Sequence, residues 1–140
     1  MEELQVIKSV RGGGELKFSN PEPISSPGPV EYFLISLKLE GLDAAVRVYT
    51  PPFYGSPREL AALFDDLAKS WRGWTGEKSW GSLEDEITFC CTCDKLGHIA
   101  VSARLRNHLL YPSWEASGVL EVEAGQLDSI ARAVRKFLRV

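Results

Sequence analysis

The sequence holds two histidines, one methionine and three cysteines, and all three cysteines fall in TFCCTCD. An odd, clustered set is a poor disulfide framework, so a reducing compartment, the cytoplasm, is the expectation. Long apolar runs are missing too. Nothing approaches the roughly 18 to 20 apolar residues a membrane helix needs. The nearest stretch, Tyr32 to Leu37, is short and contains Ser36. The opening MEELQVIKSV carries Glu2 and Glu3 and no long apolar run, so no secretory signal and no membrane partner are expected. A basic excess is the third absence. Lys and Arg number 16 against 19 Asp and Glu, a formal net charge of -3. Dedicated nucleic-acid binders are ordinarily basic, because neutralising phosphates supplies most of their affinity, and no nucleic-acid partner is expected.

What is present suits one soluble domain spanning 1–140. The hydrophobic share is 44% and the charged share 25%, and the length supports a single core. ELQVIKSV reads as a strand, Arg11-Gly12-Gly13-Gly14 as a turn, and Glu15 to Phe18 as a second strand. The glycines do not make a phosphate loop, since no Gly-Lys-Ser/Thr follows. NPEPISSPGP, residues 20–29, reads as a proline-broken surface loop. Glu31 to Glu40 alternates, with Phe33, Ile35, Leu37 and Leu39 on one face. Gly41-Leu42-Asp43 connects it to Ala44, Val46 and Val48, which continue that face while Arg47 and Tyr49 point outward.

Ser56-Pro57-Arg58-Glu59 is a helix start. Leu60, Leu63, Phe64, Leu67 and Trp71 then recur at helical spacing up to a stop at Gly73. Glu77 to Trp80, Asp85 to Asp94, His98 to Asn107 and Trp114 to Glu123 read as strands. Leu127, Ile130, Ala131, Val134, Phe137 and Leu138 form the stripe of a closing helix. The predicted fold is α+β: a single antiparallel sheet in the order ββββ-α-βββ(β)-α, with both helices on one face.

Cys91, Cys93 and His98 invite a metal site, and strand register argues against one. Asp94-Lys95-Leu96-Gly97 suits a turn that sets Asp94 opposite His98. Cys91 then meets Val101, Phe89 meets Ala103 and Ile87 meets Leu105, all apolar or small. Cys91 and Cys93 are expected in the core, with His98 and Cys90 on the other face. No three ligands converge, so neither a metal nor a cofactor is expected. Cys90 and the Asp94–His98 pair, two rungs apart along the ladder at about 13 Å, are too distant for a nucleophile and its base.

Aromatics and cations offer binding candidates. WRGWTGEKSW carries Trp71, Trp74 and Trp80. Trp71 is expected in the core as the end of the helical stripe, leaving Trp74 and Trp80 as candidate binding residues. Arg104 and Arg106 are the others, on the outer face with Arg47, Lys38, Tyr32 and Tyr49. Glu40, Glu86, Glu115, Glu121 and Glu123 share that face, which makes it a mixed-charge surface. The run Glu84-Asp85-Glu86 reads as a solvated turn.

WRGWTGEKSWGSLEDEITF, DKLGHIAVSARL and EAGQLDSIARAVRKFL together resemble a bacterial family of small single-domain proteins of unknown function. Trp71, Trp74, Gly76, Trp80, Leu83, Gly97, His98 and Trp114 carry the resemblance, which covers the C-terminal half to two thirds of the chain and implies no activity. The strand–helix–strand–helix outline is also similar to bacterial immunity proteins, which neutralise a toxin by binding it. The absence of clustered catalytic groups, the acidic balance and a wet sheet face of mixed charge make non-enzymatic contact with a protein partner the function expected, with immunity-like binding as one form of it. A small-ligand protein with the Trp-rich turn as a pocket wall, and an enzyme using Cys90 or Asp94 and His98, follow in that order. Oligomeric state is left open.

Overall fold

The computed structural model describes residues 2–140. The alternating segments form β1 (Glu3–Lys8), β2 (Glu15–Pro23), β3 (Val30–Leu39) and β4 (Leu42–Tyr49), which pair in chain order as one antiparallel sheet. After α1 (Pro57–Lys69), β5 (Lys78–Gly81), β6 (Ile87–Cys93), β7 (Ile99–Asn107) and β8 (Trp114–Val122) pair in the same way as another. A 3-10 turn at Ala124–Gln126 leads into α2 (Leu127–Leu138).

The class is α+β and the pairing antiparallel, but the expected single sheet is two sheets of four strands. Coverage explains the split. Eight strands about 4.8 Å apart span about 34 Å, whereas two helices about 10 Å apart shield little more than half of that. Folded into two sheets, the strands bury their inner faces on both helices and, in part, on each other. Nor do the helices share one sheet face. Phe137 of α2 lies 5.8 Å from Phe18 and 5.9 Å from Phe33 of the first sheet. Phe64 of α1 lies 6.0 Å from Phe89 of the second. Each helix therefore packs on the sheet of the other half, Arg135 of α2 pairs with Asp65 of α1, and one continuous core results.

The sheets touch where Leu39 lies over Gly118 and Leu120 over Gly14. Any side chain at Gly118 would collide with Leu39, so the residue is glycine because of a close approach rather than a turn. At one corner the backbone joins them: Val10 N–H donates to the Glu121 carbonyl at 3.0 Å.

Local signals explain the element ends. Ser56 Oγ accepts the Glu59 N–H at 3.1 Å and Pro57 opens α1. Two expectations there need correction. Ser70 N–H closes the helix on Asp66 and Leu67, so Trp71 falls outside the stripe and is 55% exposed rather than core. The proline-rich stretch is not wholly loop: β2 continues through Pro21 and Pro23, on register shifts that free their missing donors from the ladder.

Candidate functional site

The cysteine hairpin has the register read from its pattern. Cys91 pairs with Val101, Phe89 with Ala103 and Ile87 with Leu105, and Asp94 N–H donates to the His98 carbonyl at 3.0 Å. Cys91 is buried, and burial pushes its thiol up to about 12. Cys93, expected inside, is only half-buried: it packs against the core beside its buried strand partner Ile99. On the outer face, burial and then Glu77 push the Cys90 thiol up, so it stays protonated at neutral pH and is a poor nucleophile. At the tip, His98 Nδ1 lies 2.9 Å from Asp94 Oδ2. The His98 backbone N–H, foremost, and its ring hold the Asp94 carboxyl below the usual range. These bonds order a turn: Asp94 Oδ1 also accepts the Leu96 and His98 N–H groups.

The four candidate binding residues divide between two surfaces. Trp80 is 7% exposed and stacks on Phe89 at 6.4 Å. Trp74 is half-buried against the core with Lys78 Nζ 5.7 Å from its ring. The Nε1 donors of both tryptophans are buried without a partner among the described residues. Arg104 and Arg106 lie elsewhere, on the outer face of β7, with Nε atoms 3.4 and 4.0 Å from the two oxygens of Glu115. Sheet alternation puts Trp80 and the arginines on opposite faces, so the tryptophans and arginines do not form one platform.

Arg106 does belong to a larger feature. A groove of about 640 Å³ lies between β4 and the β7–β8 loop. One wall is Ala45, Val46, Arg47, Tyr49 and Tyr32; the other is Arg106, Asn107, His108, Leu109, Leu110 and Trp114, with Glu84 and Glu86 between. Tyr32 and Tyr49 pair across β3 and β4 with their rings stacked at 5.0 Å. Arg47 lies over the Tyr32 ring at 4.0 Å and donates through Nε and Nη2 to Glu22. Desolvation, then Glu31, raises the Tyr49 phenol above its ordinary value.

Glu86 holds the groove together. It is 7% exposed, not the solvated turn residue its acidic neighbours suggest. Its carboxylate accepts the Ser82 hydroxyl at 2.6 Å and the Tyr49 N–H at 3.0 Å, tying the second sheet to the edge of the first. The partner is 37 residues away along the chain, so nothing in the local pattern announces it. The loop had a visible signal. Leu109, Leu110 and Tyr111 are large apolar residues between two strands where polar turn residues are the rule. They are 61%, 70% and 96% exposed, beside a Trp114 that shares the parity of the inner face but projects past the core.

Among the described residues, no group of three or more His, Cys, Asp or Glu is placed to hold a metal ion, and no helix is long and apolar enough to cross a membrane. No curated protein matches the chain. The model of a family of unknown function, DUF6228, matches residues 7–140, nearly the whole length, and the chain belongs to that family.

Proposed function

We propose that the protein is non-enzymatic and works by stable contact with a protein partner, in the manner of the immunity proteins whose outline it resembles. One observation carries this reading: Leu109 and Leu110, which line the groove, and Tyr111 beside them stand exposed on one loop. Exposed apolar side chains grouped beside polar neighbours are the pattern of a protein contact surface, and aromatic anchors supply most of the energy of such contacts. Arg106 and Trp114 form the adjoining rim, and Arg104 extends it across the sheet. The compartment proposed is a bacterial cytoplasm, which the three free thiols support.

The test places a photo-crosslinking amino acid at Tyr111 in the producing cell, identifies the protein captured, and titrates the two purified chains by calorimetry. Leu110→Asp and Tyr111→Ala are each expected to weaken binding about tenfold or more, as loss of an interface anchor does. Lys95→Ala, at the far hairpin tip, is expected to leave it unchanged. Equal affinity for wild type and both loop variants would overturn the reading.

The volume of the groove and its stacked tyrosines favour a second reading, a small planar ligand. In that case metabolite extracts quench Trp114 emission, and the quenching survives Tyr111→Ala. The Trp-rich turn is less suited to be the pocket wall, since the two open hollows that Trp80 borders, one beside Tyr54 and Thr88 and one beside Asp66 and Lys78, have neither Trp71 nor Trp74 in their lining.

A further inference from the structure

Ala45, Val46, Arg47 and Tyr49 all line the groove. Neighbouring residues of a strand point to opposite faces, so a hollow that touches both faces runs along the strand's edge. β4 is the outermost strand of its sheet. Its hairpin closes on the pair Leu39–Leu42, a two-residue connection whose closing pair is hydrogen-bonded. Ala44, Val46 and Val48 therefore bond inward to β3, and Asp43, Ala45, Arg47 and Tyr49 direct their backbone groups outward. Tyr49 shows this parity directly, with its N–H on Glu86. The outward N–H and C=O groups of Asp43, Ala45 and Arg47 have no partner among the described residues, and all three residues are exposed.

The other sheet edges are blunted in ways that proteins use to prevent strand addition. β1 carries a register shift between Gln5 and Ile7, β5 is four residues long, and Val10 already bonds the edge of β8 at Glu121. β4 keeps a regular register from Leu42 to Tyr49 and has an apolar wall of Leu109, Leu110 and Trp114 across from it.

We propose that the groove takes an extended peptide segment, which adds to β4 as a fifth strand of the first sheet. The stretch Asp43–Arg47 spans about 13 Å at strand rise, room for about five residues of the incoming segment. Main-chain bonds to Ala45 and Arg47 hold it, and a β-branched or aromatic side chain lies over the Tyr32–Tyr49 stack, the cross-strand pairing such residues favour. The proposal rests on the reading that the groove mouth meets a protein, with the segment belonging to that partner.

The test uses random twelve-residue peptides displayed on phage, selected against the immobilised full chain, with the enriched sequences remade as synthetic peptides. Ala45→Pro removes one outward N–H at an edge position where proline is tolerated. It is expected to weaken peptide binding about tenfold or more, while Ala45→Ser, which keeps the N–H, binds like wild type. Amide exchange by NMR on the wild-type chain supplies a readout that needs no variant: bound peptide slows Ala45 and Arg47 and leaves Ser117 and Val119 on β8 unchanged. Failure to enrich any peptide, or peptides that leave both β4 amides exchanging freely, overturns the proposal. So does a dimer in sedimentation equilibrium that Ala45→Pro dissolves, which would assign the edge to a second copy of the chain. Loop-dependent binding of the crosslinked partner alongside a failed peptide selection removes strand addition alone. Peptides that protect β4 when no loop-dependent partner exists remove the partner reading and keep the edge site.

Discussion

The two halves of the chain run through the same succession, four antiparallel strands and then a helix, yet they expose different chemistry. The first sheet presents stacked tyrosines with an arginine over them and an open edge at β4. The second presents small residues, Cys90, Ser102 and Ser117, with Arg104 and Arg106 gathered around Glu115. Inside, the halves are interdependent, because each sheet is covered by the helix of the other. The differences therefore lie on the surface and the likeness lies in the core. A groove forms where an edge of one half meets a loop of the other, a place that neither half has alone.

The strongest test of that interdependence is Phe137→Ala. Removing a buried phenylalanine costs about 3 to 5 kcal/mol. Phe137 packs on the first sheet, but because the core is shared, amide protection in β6 and β7 is expected to fall together with that in β2 and β3. Hydrogen exchange that leaves the second sheet protected would show two separable halves. A smaller effect is expected from Glu86→Ala, which strands the Tyr49 N–H and leaves the Ser82 hydroxyl only the Ile87 backbone, at about 1 to 3 kcal/mol, measured by urea denaturation. Glu86→Gln, which keeps the shape and one of the two acceptor oxygens, should cost less; equal losses would mean that the charge or the second acceptor oxygen, which the amide lacks, joins the sheets.

The smallest effect is expected at the hairpin tip, outside the shared core. The Asp94 carboxyl titrates below its ordinary value when folded, so its contribution is present above the unfolded value of about 3.9 and is lost as pH falls through the folded one. The melting temperature of Asp94→Ala should lie slightly below wild type at pH 7 and converge with it in acid. A gap that widens in acid would contradict this sign.

Much of the fold was legible because it was local. The Cys91–Val101, Phe89–Ala103 and Ile87–Leu105 pairs followed from alternation and one turn, since slipping the register by a residue would bury Arg104. The Ser56 cap and the stripe from Leu60 to Leu67 followed from helical spacing. Trp71 was misjudged because a stripe does not say where the helix stops, and the backbone bonds of Ser70 decided that. Of the candidate site, Arg106, Tyr32 and Tyr49 were visible as outward residues, but their common groove was not, because its walls come from different sheets.

The sequence by itself determined the facing of the cysteine hairpin's paired residues and where the hairpins turn. Those properties depend on neighbours a few residues apart, whose spacing is fixed by backbone geometry. Tertiary structure decided that eight strands divide into two sheets, that each helix crosses to the opposite half, that Glu86 is buried on the edge of β4, and that this edge opens into a groove. Strand patterns specify faces and leave edges unassigned, and an edge finds its partner only when distant parts of the chain pack together.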